Sequence, residues 1–165
     1  MKTKRKLRLY LDTSIIIMLE HGQDPVRQAM TNEFFRIVAE HSDDYELLLS
    51  RVTIDELNAG SDEEKANADS FLATLEHTRL PEKDEAENLA WIYALDGVLS
   101  ESHINDLTHI AYAVVSRCDY VVTWNMRHLA NPHTVKRVND VNALEKYASI
   151  IIETPRFFIG EFDEQ

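Results

Sequence analysis

The chain has 165 residues, 44% of them hydrophobic, which is enough for one compact domain with its own core and too little for two of ordinary size. Its single cysteine, Cys118, excludes a disulfide framework and any multi-cysteine zinc site, and as a free buried thiol it fits a reducing cytoplasm. A net charge of -12 runs against binding a polyanion, although five of the 17 basic residues (Lys2, Lys4, Arg5, Lys6 and Arg8) fall within the first ten positions.

The opening MKTKRKLRLYL has the basic start of a signal peptide, but Arg8 and Asp12 interrupt its apolar part and residues 15–19 are too few to cross a bilayer. Neither secretion nor a membrane span is expected. Residues 7–11 read as a buried strand, and after Asp12-Thr13-Ser14 a helical stretch runs to near Gly22. Pro25 suits the first turn of a second helix, in which Val26, Ala29, Met30, Phe34, Ile37 and Val38 recur at helical spacing. Residues 45–49 form a second apolar run ending at Ser50, and VTIDELNAG turns helical at once, with Gly60 as its stop.

Helices are predicted over residues 63–77 and 82–95, where SDEEKANAD and PEKDEAEN read as solvated, acid-rich helix starts. TRLP between them has room for a very short third strand. In SHINDLTHIAYAVVSRC, Asn105 or Asp106 can cap a helix that buries Ile110, Ala113 and Val114. Residues 119–123 are the next strand, TWNMRHLANP a loop with one helical turn, residues 134–147 a helix, and residues 149–152 the last strand. Across residues 117–137 the charge reverses, with Arg117, Arg127, Lys136 and Arg137 opposed only by Asp119. Helices alternating with short apolar strands predict an α/β fold around a parallel sheet covered on both faces. One domain is expected over residues 1–165, with residues 1–6 and 159–165 peripheral.

In such a sheet, binding and catalytic groups collect where strands feed into helices, at the carboxyl ends. Asp12 ends the first strand, Glu56 lies about two turns into the helix after the second, Asp106 starts the helix before the fourth, and Thr123 and Asn125 end that strand. Each has a plain structural alternative: Asp12 and Asp106 as helix caps, Glu56 as an exposed helix residue, Asn125 as a turn residue. Two carboxylates about 5 Å apart repel by roughly 3 kcal/mol at an effective dielectric of 20. Three at one cleft therefore call for protonation or a cation, and an all-oxygen set selects Mg2+ or Mn2+.

The stretches LYLDTSIIIML, LLLSRVTIDEL, NDLTHIAYAVVSRCDYVVTWNMRHL and PRFFI, in this order and spacing, resemble the PIN domain family of nucleases, to which the VapC-type toxins belong. The resemblance implies a three-layer α/β/α PIN-like fold with a central parallel sheet of four to five short strands. It also implies metal-dependent hydrolysis of RNA phosphodiester bonds by the toxin of a toxin-antitoxin pair. Asp12, Glu56 and Asp106 would hold the divalent ion, with Glu56 alternatively orienting the attacking water, and Asn125 would complete the catalytic set. Asn125 departs from the family, which commonly has an acidic residue there; its amide oxygen can ligate an ion or its water without adding charge. Thr13, Ser14, Thr123, Arg127 and His128 are the candidates for holding substrate, and the early basic run is a candidate RNA track. Implied partners are RNA, an antitoxin protein whose segment fills the cleft, and a second copy of the chain.

Three other readings compete. A catalytically weak PIN-like module that binds RNA or protein is favoured by Asn125 and the acidic surface. A zinc site could draw on Asp106 and His109, three apart on one helix, with His103, His128 and His133 near in sequence; against it, His109 sits among apolar neighbours as a packed helix residue would. An aspartyl-phosphate chemistry at Asp12, as in haloacid-dehalogenase-like phosphatases, requires a second aspartate two residues on, where this chain has Ser14.

Overall fold

A computed structural model describes residues 4–19 and 24–160. Lys2, the expected end of the first helix near Gly22, and residues 161–165 lie outside the described residues. Five parallel strands form one sheet in the order β3-β2-β1-β4-β5. They are β1 (Leu7–Leu11), β2 (Tyr45–Leu49), β3 (Thr78–Arg79), β4 (Tyr120–Val122) and β5 (Ile151–Glu153). Around them lie α1 (Thr13–Ile17), α2 (Pro25–Glu40), α3 (Arg51–Asn58), α4 (Asp62–Thr74), α5 (Asp84–Leu95), α6 (Ile104–Val115), α7 (Pro132–Leu144) and α8 (Pro155–Gly160).

Alternation along the central strand builds the three layers. Successive side chains of a strand point to opposite faces, so Leu9 and Leu11 pack against Phe34 and Val38 of α2 and Phe158 of α8. Tyr10 points the other way, into a core made with Leu89 and Tyr93 of α5, Leu107 and Ile110 of α6, and Val138 of α7. Both faces being covered, the strands can be apolar throughout. A smaller cluster of Ile16, Leu49, Leu57, Ala68 and Leu72 ties α1, α3 and α4 to the end of β2.

Several boundaries differ from expectation for identifiable reasons. Helix α2 buries Thr31, Phe34, Ile37 and Val38, so its inward stripe starts one turn later than the apolar pattern suggests, and Val26 is 64% exposed. Asn131 caps α7 by accepting from the His133 amide and Pro132 opens it, which moves its start before Thr134; Lys146, at φ 65, follows its end. Ser61 caps α4 through the Glu64 amide, and α4 stops at Thr74 rather than at His77. Neither Asn105 nor Asp106 caps α6, because a 3-10 turn at Glu101–His103 runs into it and leaves Asp106 inside the first helical turn. The last strand is set by its pairing, Tyr120 to Ile151 through Val122 to Glu153.

The chain moves outward from β1 through β2 to β3, then returns to place β4 on the other side of β1. Loops therefore diverge above β1 and β4, opening a crevice at their carboxyl ends, the usual position of a ligand in open α/β sheets. No helix among the described residues is long and apolar enough to cross a membrane.

Candidate active site

Residues of β1, α1, α2, α3, α6 and the loop after β4 line one cleft of about 580 Å³ above that crevice: Asp12, Thr13, Ser14, Asp24, Arg27, Glu56, Asp106 and Asn125 among them. Leu11 pairs with Val122, and the Asp12 amide donates to the Val122 carbonyl at 3.1 Å, so Asp12 sits one residue past the ladder. Although it occupies the capping position of α1, its side chain makes no cap bond. Instead its Oδ2 accepts from the Thr123 hydroxyl at 2.8 Å and from the Ser14 hydroxyl at 2.7 Å. The neighbouring amides hold those hydroxyls in turn: Asn125 N–H donates to Thr123 Oγ1 at 2.9 Å and Trp124 N–H to Ser14 Oγ at 2.9 Å. The hydroxyls of Ser14 and Thr123 thus orient Asp12.

Behind the residues that line the cleft lies His109, fully buried on α6. Its Nε2 lies 2.5 Å from Glu56 Oε1 and 3.2 Å from Asp12 Oδ1, and the Thr13 hydroxyl donates to the same Glu56 oxygen at 3.0 Å. One donor atom from each of Asp12, Glu56 and His109 lies within 4.8 Å of the others. On the far side of the ring, Nδ1 is 2.7 Å from the Tyr10 hydroxyl, which is 2.7 Å from Ser50 Oγ. Burial works against a charge on this imidazole, but Asp12, Glu56 and Asp106 outweigh it and hold its pKa above the ordinary value. A protonated imidazole donates from both ring nitrogens, and Tyr10 would then accept from Nδ1 and donate to Ser50. Burial also raises the Tyr10 pKa, which keeps that hydrogen in place.

His109 is packed inside α6, as its apolar neighbours in sequence suggest, and in addition meets the carboxylates of Asp12 and Glu56 in space. The one signal in the sequence was its placement three residues after Asp106. Asp106 itself lines the cleft, with its carboxyl pKa raised by loss of solvent and by the charge of Asp12, against the opposing influence of His109. His103 Nδ1 stands 3.4 Å from Asp106 Oδ2, and the rings of His103 and His128 lie 4.3 Å apart.

Other sequence expectations fare differently. Asn125 lines the cleft, but its Oδ1 already accepts from the His128 amide at 2.9 Å, the hydrogen bond of a turn residue. Arg127 and His128 are not among the residues lining the cleft; Arg127 is exposed, and His128 reaches Asp106 only by way of His103. His133 lies exposed on α7, apart from the cleft, and among the described residues the metal-competent group joins one histidine, His109, to Asp12 and Glu56. Among the described residues, Lys4, Arg5 and Arg8 of the early basic run lie away from the cleft. Lys4, Arg5 and Arg8 pair with Asp44, Asp119 and Glu46 at the opposite, amino-terminal edge of the sheet. Arg27, which the sequence reading passed over, is the basic side chain that does line the cleft.

No protein-family model matches the sequence, and no curated protein matches it. Solved structures do match in three dimensions. VapBC2 from Rickettsia felis, bound to a DNA fragment from its promoter, superposes with a TM-score of 0.58 at 15% identity, over 90% of this chain and 98% of that one. VapBC-1 from nontypeable Haemophilus influenzae gives 0.57 at 17% identity, over 91% and 99%. VapC20 of Mycobacterium tuberculosis, a toxin that cleaves the sarcin-ricin loop, gives 0.51 at 19%, over 68% and 86%. At these identities the likeness concerns the fold, and the chain has the fold of the VapC-type PIN domains.

Proposed function

We propose that this chain is a divalent-metal-dependent endoribonuclease, the toxin of a toxin-antitoxin pair, with Asp12, Glu56 and Asp106 as the residues that would hold the ion. The observation carrying this reading is the gathering of carboxylates from three separate elements into one cleft at the sheet's switch point. Oxygens of Asp12 and Glu56 lie within 4.8 Å of each other and Asp106 lines the same cleft; such a carboxylate set would suit Mg2+ or Mn2+. Such an ion lowers the pKa of bound water and offsets charge on the leaving oxygen of a phosphodiester.

The chain's own residues have separable tasks in this reading. Ser14 and Thr123 fix the rotamer of Asp12, while His109 and Thr13 hold Glu56 where it can accept a proton from the attacking water. Asn125 shapes the rim of the cleft, its side-chain oxygen being engaged by the His128 amide. An antitoxin segment filling this cleft is the partner that the VapBC likeness suggests for this chain.

The test is cleavage of RNA in the presence of Mn2+, comparing the native chain with Asp12→Asn. Cleavage by the native chain alone supports the nuclease; equal traces from both proteins favour the second reading, a PIN-like module acting by binding. That alternative draws on two observations, the engaged Asn125 oxygen and a histidine that partly neutralises the acids without any ion.

A further inference from the structure

Arg27 is the one basic side chain lining the acidic cleft among the described residues. Its guanidinium carbon lies 5.3 Å from the centroid of the Trp124 ring, and its Nε is 3.4 Å from Asp24 Oδ2. An exposed ion pair with Asp24, at 36% and 41% side-chain exposure, contributes little by itself and does not require an aromatic platform. The platform is built into the site. The indole N–H of Trp124 donates to Thr31 Oγ1 at 2.8 Å, and the Thr31 hydroxyl donates to the Arg27 carbonyl at 2.7 Å. Thr31 is wholly buried. Toward the acids, the Trp124 amide donates to Ser14 Oγ, and that hydroxyl donates to Asp12. Hydrogen bonds thus run from Asp12 through Ser14 to the Trp124 amide, and from the Trp124 indole through Thr31 to the Arg27 carbonyl, placing both the indole and the start of α2 relative to the carboxylates.

Set beside the Trp124 ring and paired at Nε with Asp24, the guanidinium lines the cleft, and a planar fork of this kind matches a phosphate's oxygens. A polyanionic substrate entering this cleft meets an excess of negative side chains, and among the described lining residues Arg27 alone is basic. We infer that Arg27 is the substrate-binding residue that grips an RNA backbone phosphate next to the reacting bond; this rests on the nuclease reading above. A phosphate contact reads no base, so its contribution is expected to be the same across sequences.

The experiment is fluorescence anisotropy with a labelled, mixed-sequence single-stranded RNA in Ca2+, repeated over a range of salt concentrations, with Mn2+ binding to the same proteins measured calorimetrically. Arg27→Gln keeps the backbone amide that α2's cap uses. It is expected to bind RNA about tenfold more weakly and to lower the slope of log affinity against log salt by about 0.7, the value for one lost single-strand phosphate contact. Arg27→Lys is expected to keep the slope and recover only part of the affinity. Arg36→Gln removes a charge from the same helix, where Arg36 pairs with Glu33 and Glu40, and should leave both quantities unchanged. Native affinity and slope in Arg27→Gln, or an equal loss in Arg36→Gln, overturns the inference while leaving the nuclease reading in place. Failure of the native chain itself to bind RNA removes that reading and the Arg27 assignment together. Mn2+ binding should be no weaker in any of these proteins, and a loss of Mn2+ binding in Arg27→Gln would show that the substitution disturbs the carboxylate cluster and overturn the inference.

Discussion

The two edges of the sheet both gather charged residues, and they do so in opposite ways. At the amino-terminal edge each acid has a basic partner of its own: Lys4 with Asp44 at 3.0 Å, Arg8 with Glu46 at 2.8 Å, Arg5 with Asp119 at 2.5 Å. The Arg8 amide also donates to Asp119, so the pairing there fastens the starts of β1, β2 and β4. At the carboxyl edge, Asp12 and Glu56 share one buried imidazole and accept from hydroxyls, while Asp106 in the same cleft faces His103. Balanced pairs hold a fold together. A surplus of one sign, kept in place by neutral donors, lowers stability on its own and is retained where something else is to bind.

Substitutions at the two edges should therefore separate activity from stability. The largest expected effect is on turnover: Asp12→Asn should reduce RNA cleavage by at least about a hundredfold, whereas Glu46→Gln at the other edge should leave it unchanged, as gel assays of the two variants would reveal. Next, His109→Leu would leave the carboxylates without their shared counter-charge. It should destabilise the metal-free protein by about 3 kcal/mol in urea unfolding, and saturating Mg2+ or Mn2+ should recover part of that loss. Tyr10→Phe removes the hydroxyl between His109 and Ser50 and should cost about 1.5 kcal/mol in the same measurement. Arg8→Gln, breaking a half-exposed pair, should cost less than about 1 kcal/mol with full cleavage retained.

A pH effect belongs to the amino-terminal edge as well. Burial pushes the Cys118 thiol up to about 12, against the opposing charge of Arg8. The unfolded thiol ionises first as pH rises past its ordinary value, so the stability tied to the neutral thiol is intact below about pH 8.5 and declines toward the folded pKa. Labelling by a thiol reagent at neutral pH should accordingly be slow in the folded chain and fast in denaturant.

What could be read from the sequence follows from how local each feature is. Strands β1 and β2 were legible at their observed limits, because LRLYL and YELLL are bounded by Asp12 and Ser50, each starting a helix. Edge strands β3 and β5 and the start of α6 were less so, since pairing partners and a preceding 3-10 turn set their limits. Asp12 and Asp106 were legible because one follows a strand and the other lies in the first turn of a helix, and Glu56 because its helix starts directly after β2; Asp24, which also lines the cleft, was not. His109 and Arg27 were not, for contrasting reasons. His109 looks like core from its neighbours and becomes a partner of Asp12 and Glu56 only through the β1–α6 packing. Arg27 looks like surface, and acquires a place in the cleft only through Trp124, 97 positions later in the chain.

The central claim is that the surplus of acid at the carboxyl edge is a binding site for one divalent ion. Calorimetric titration of the metal-free protein with Mn2+ tests it most directly, using Asp12→Asn and Glu46→Gln as the paired controls. Saturable binding by the native chain and by Glu46→Gln, lost in Asp12→Asn, is the predicted result. Absence of binding by the native chain, or binding that survives Asp12→Asn unchanged, would contradict the account.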